Sequence, residues 1–84
     1  MDYEATDREM SSWVVTAKKQ NTRFFLTAEK SATTILANAK RYRWLDVAEA
    51  EAMEETMYDG EAGWNLKWEA MSVPAAYNLA AAGR

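Results

Sequence analysis

Apolar and polar positions alternate in two stretches near the start of the chain. In SWVVTA, Trp13, Val15 and Ala17 fall on one side of an extended backbone and Val14 and Thr16 on the other. β-Branched residues with a tryptophan suit such a pleated surface. After the polar, turn-like residues 18–22, RFFLTA repeats the pattern, Phe24, Leu26 and Ala28 alternating with Arg23, Phe25 and Thr27. Two alternating runs joined by a polar link predict a β-hairpin. In that register Phe25 shares the exposed face with Arg23 and Thr27.

Periodicity then changes. Over residues 31–42, Ile35, Leu36 and Ala39 fall at helical spacing, and a short helix or an irregular connection fits equally well. Residues 47–58 predict the main helix. Asp46 followed three residues later by Glu49 is a start signal, Leu45 can staple against Ala50, and Gly60 supplies a left-handed stop. At 100° per residue Ala50, Met53 and Met57 make a narrow apolar stripe, expected to face the core, with Glu51, Glu54, Glu55 and Tyr58 opposite. After Gly63, WNLKWEA alternates again, with Trp64, Leu66 and Trp68 expected inward, and Pro74 opens a short C-terminal helix ended by Gly83. The expected architecture is α+β: a three-stranded antiparallel sheet in ββαβ order, covered by one main helix, with strand order 2-1-3. The 84 residues make a single domain, in which residues 1–11 form a flexible or marginally helical arm.

Composition narrows the chemistry. The chain holds neither cysteine nor histidine, so disulfides, thiolate metal sites and the usual nucleophile–base pairs are excluded. Three late glycines cannot build a phosphate-cradling loop. Glu49, Glu51, Glu54, Glu55 and Asp59 could supply a carboxylate pair or an oxygen-only cation site. On a convex helix face, however, they lack a desolvated setting and are expected to form a solvated or partner-facing surface. No catalytic residue, metal or cofactor is therefore expected. The acidic N-terminus lacks the layout of a signal peptide, and no apolar run approaches the ~20 residues that span a bilayer, which points to the cytoplasm.

Charge is unevenly placed. Residues 1–12 carry a net −3, residues 13–44 a net +6 and residues 45–84 a net −6. Two binding faces follow from this. In the first, Glu51, Glu54, Glu55, Tyr58 and Asp59 dock on a positively charged protein, imitating the charge of a nucleic-acid strand. In the second, Lys18, Lys19, Arg23, Phe25, Lys40, Arg41 and Arg43, with Tyr42 and Trp44, contact nucleic acid directly. The acidic total, with a pI near 4.9, favours the first. An exposed Phe25 on an edge strand would also serve a homodimer.

The succession W-V-V, R-F-F-L-T-A, A-K-R-Y, an A-E-A-E-A helix and W-x-L-x-W, spanning residues 13–68, resembles small phage and mobile-element proteins, among which are the anti-CRISPR proteins. That resemblance implies a phage-borne inhibitor of a bacterial CRISPR-type defence complex, acting in the cytoplasm of an infected or lysogenic host. It carries over no catalytic residue.

Overall fold

The hairpin forms as the alternation predicts, from β1 (Trp13–Lys19) and β2 (Thr22–Leu26), with Lys19 opposite Thr22. The link is tighter than the polar run implied. Only Gln20 and Asn21 lie between the strands, and Gln20 takes a left-handed φ of 55° to close the turn. The computed structural model describes residues 12–82. The expected N-terminal arm and the Gly83 helix stop therefore lie outside the described residues.

The sheet has four strands rather than three, in the order β3-β2-β1-β4, all antiparallel. The addition is β3 (Ala32–Thr33), two residues from the stretch expected to be a helix or a connection. A 3-10 turn at Leu36–Asn38 completes that stretch. The last strand sits beside β1, as the crossover argument requires, but β4 spans Glu69–Ser72 and not the Trp64 segment. Asn65 explains the shift: its φ of 57° breaks the extended path that W-N-L-K-W suggested. Helix α1 runs Leu45–Ala62 and α2 runs Val73–Ala82. Neither helix is long and apolar enough to cross a membrane.

Both faces of the sheet are covered. Val15, Ala17 and Leu26 pack with Tyr42, Ala48, Ala52 and Trp68 beneath α1. Val14 and Phe25 pack with Ala39 and Ala76 beneath the 3-10 turn and α2. Phe25 is thus fully buried and not the exposed contact residue expected, because a second layer covers the face assigned to solvent. The buried Thr16 hydroxyl on that face donates to the Phe24 carbonyl at 2.7 Å and accepts from the Arg23 guanidinium at 3.3 Å, which offsets its desolvation.

Helix α1 is longer than its sequence signals and rotated from the expected orientation. Its N-cap is Trp44, not Asp46, and it passes through Gly60 to end at Gly63, whose φ of 88° gives the left-handed stop. Its inner face is Ala48, Ala52 and Asp59, with Glu51, Glu55 and Thr56 half-buried. Met53 and Met57, expected inside, are 67% and 64% exposed. Small residues win the inner face because they let the helix axis approach the sheet. Larger side chains there would hold it away.

The open side of β4 is short. Val14 and Thr16 lie opposite Met71 and Glu69, and the Val73 amide reaches the Ser12 carbonyl. Residues 69, 71 and 73 therefore turn their backbone groups toward β1. Of the outward set, Trp68 is bound by the Thr56 hydroxyl, which accepts from its N–H at 2.8 Å and lies 3.3 Å from its carbonyl. Ser72 leads directly into α2. Ala70 is left as the centre of the free edge among the described residues.

Candidate functional site

Helix α1 presents three strips to its surroundings. The inner strip packs on the sheet. The outer strip carries Glu49, Met53, Glu54, Met57, Tyr58 and Glu61, all exposed. The third strip, Glu51 and Glu55, lies between them, bordered by Tyr58 on the outer side and Asp59 on the inner, and leans over the β2–β3 side of the sheet.

The partner-binding residues expected from the sequence are split by this arrangement. Glu54 and Tyr58 are exposed, and Glu54 keeps 70% of its side chain in solvent. Glu51 and Glu54 lie 3.4 and 3.6 Å from the Lys30 ammonium, which the left-handed turn after β2 brings to the rim. The pair of carboxylates raises the Lys30 pKa, Glu51 first through its hydrogen bond and its charge. Glu55 is half-buried, and its pKa is raised by desolvation and then by the charge of Asp59. Asp59 corrects the expectation of a solvent-facing carboxylate. It is only 7% exposed, and one oxygen accepts a hydrogen bond from the indole N–H of Trp68.

Asp59 also organises the end of the helix. Its backbone carbonyl accepts from Trp64 and Asn65 at 2.9 and 3.3 Å. That fold-back swings Trp64 out to 62% exposure, so the tryptophan expected in the core stands at the surface. The Lys19 ammonium sits 5.5 Å from its ring centroid. Between these groups lies a cleft of about 310 Å³, walled by Phe24, Leu26, Tyr58, Trp64, Leu66 and Trp68, with Glu55 and Asp59 on its helix side. Sequence reasoning missed the cleft. Its signal was present in the two tryptophans and the aspartate that follow one another at 59, 64 and 68, but the strand reading hid it.

The basic residues of the second binding face are not brought together. Lys18, Lys19 and Arg23 gather at the hairpin turn. Lys40, Arg41 and Arg43 lie at the other end of β1, where Tyr42 pairs with Trp13. The seven residues of β1 separate the groups by roughly 20 Å. Lys40 stacks on Tyr42 at 4.9 Å and Arg43 on Trp44 at 5.2 Å. Phe25, buried, is unavailable for stacking on bases.

Tyr42 itself is buried, and among the described residues its hydroxyl has no hydrogen-bond partner. Burial, then the charges of Glu51 and Glu55, push its pKa up to about 12. Among the described residues no group of three or more metal-binding side chains converges. No family model, curated protein or solved structure matches the chain.

Proposed function

We propose that this chain is a non-enzymatic protein-binding module whose outer α1 strip docks on a positively charged surface of a partner protein. The observation that carries the reading is the mixture on that strip. Met53, Met57 and Tyr58 are each about two-thirds exposed and stand among Glu49, Glu54 and Glu61. Carboxylates alone would describe an ordinary solvated helix. Large apolar side chains held out of a small core mark a contact surface, and methionines adapt readily to a partner's contour. The carboxylates would steer association with a basic partner and make its rate depend on salt.

Within that class, the resemblance to phage and anti-CRISPR proteins favours an inhibitor of a bacterial defence complex, covering a groove that would otherwise hold nucleic acid. The division of the chain's own cations into two groups weighs against direct nucleic-acid binding.

The test is capture of the partner by the tagged chain from bacterial lysate at two salt concentrations, repeated with Glu49, Glu54 and Glu61 all changed to Lys. All three are exposed, so the fold should survive. Capture that weakens with salt and is lost in the triple variant supports the reading. Capture unchanged by the reversal, or a clear gel shift of nucleic acid by the wild-type chain, refutes it.

A further inference from the structure

We propose that the aromatic cleft beside α1 receives a single cationic side chain, arginine or lysine, from the partner protein. This rests on the reading of a basic partner and adds a defined anchor to it.

The argument begins with Asp59. A carboxylate removed from water normally acquires a cation or several hydrogen bonds. Among the described residues it has the Trp68 indole as its one hydrogen-bond donor and no cation within 4.0 Å. Among the described residues its neighbour Glu55 is also without an ion pair, because Lys30 is engaged with Glu51 and Glu54 instead. The cleft lining thus holds two carboxylates, Glu55 and Asp59, and two ammonium groups, of which Lys30 is engaged by Glu51 and Glu54 and Lys19 rests on Trp64. The pKa of Glu55 is raised by desolvation first and then by the charge of Asp59, with Lys30 opposing.

The walls suit the same occupant. Faces of tryptophan and tyrosine attract cations, and the chain's own Lys19 already rests on Trp64. That contact lies on the outer wall and leaves the Trp68–Asp59 floor without a cation. A cleft of about 310 Å³ is at the small end of ligand sites. It has room for one long side chain, whose stem would lie along Phe24, Leu26 and Leu66 while its head group reached Asp59. An anion would meet the carboxylates of Glu55 and Asp59, and a neutral apolar group would leave Asp59 as it is.

The experiment follows the indole N–H signals of the four tryptophans by nuclear magnetic resonance while the chain is titrated with acetyl-arginine-methylamide. Acetyl-norleucine-methylamide serves as the uncharged control. A saturable shift of the Trp68 signal is expected with the arginine compound, and binding of the control should be weaker by about tenfold or more. Asp59→Asn, which keeps an acceptor for the indole, and Trp64→Ala, at an exposed position, should each weaken arginine binding and reduce partner capture. Changing only Glu49 and Glu61 to Lys, which keeps the Glu54–Lys30 pair beside the cleft, should leave the arginine shift unchanged, so failure of the cleft and failure of the outer strip are read separately. No saturable shift, equal shifts from both compounds, or full partner capture by Asp59→Asn would each overturn the proposal.

Discussion

The rotation of α1 underlies both proposed surfaces, and two aspartate substitutions one residue apart decide it. Ala52 is 3% exposed and packs into the cluster with Val15, Leu26 and Trp68, whereas Met53 is 67% exposed. Alanine and methionine are both good helix formers, so replacing either by aspartate carries a similar propensity cost of about half a kcal/mol. What differs is burial. Ala52→Asp places an unpaired carboxylate on the face that already holds Glu55 and Asp59, at a cost of roughly 3 kcal/mol or more. Met53→Asp removes little buried surface and should stay within about 1 kcal/mol of wild type. For a domain of this size each kcal/mol moves the melting temperature by roughly 4–8 °C. Urea titration followed by tryptophan fluorescence, with thermal melts by circular dichroism, measures both variants. If Met53→Asp unfolds the chain while Ala52→Asp tolerates the charge, α1 presents the opposite face and both surfaces are misassigned.

Four further outcomes are expected. Gly60→Ala should stabilise the chain by up to about 1 kcal/mol in urea titrations, since Gly60 is inside α1 and an added Cβ meets nothing within 4 Å. Tyr42→Phe should be neutral or slightly stabilising, because it removes a buried hydroxyl that has no partner among the described residues. The wild type should lose stability as pH rises from 10 through about 12, since the phenolate is disfavoured in the fold, and the Phe variant should lack that component. Glu55→Gln should melt higher than wild type at neutral pH. The raised pKa means that the protonated form suits the fold, so the native carboxyl's contribution is fully present below its unfolded value of 4.5 and lost as pH rises through the folded one. The advantage of Gln should therefore vanish in acid. Trp68→Phe should cost roughly 2 kcal/mol by removing the donor to a buried carboxylate. A double-mutant cycle with Asp59→Asn should show coupling between them.

The hairpin was legible because two alternating runs flank a polar turn, and the place of the last strand beside β1 followed from connectivity. The existence of α1 was legible too. Its rotation was not, because Leu45, Val47, Met53 and Met57 lie on several sides of the helix and no side dominates by hydrophobicity. Its contact with the sheet is decided by Ala48 and Ala52, whose smallness counts for more than their modest apolarity. Phe25 was misplaced for a related reason. Alternation identifies two faces of a strand but says nothing of a second layer, and here Ala39 and Ala76 supply one. Strand β3, two residues long, is too short to carry a pattern. Trp64 and Trp68 read as one strand because the left-handed Asn65 between them leaves no trace in hydrophobic spacing. The candidate site suffered most from these errors. Glu54 and Tyr58 stand where the sequence put them, while Asp59 turns inward and makes the cleft that no periodicity could suggest.

The hydroxyl of Thr56 has a consequence for how safely this molecule can be made in quantity. Open sheets fibrillise by recruiting further chains along an unpaired margin, and a long margin is a better seed than a short one. By occupying the rung that Trp68 would otherwise offer, a single side chain from the helix shortens that margin to little more than one residue. Exchanging Thr56 for valine keeps the shape, uncovers the rung and should make the protein scatter more light on standing than the wild type does.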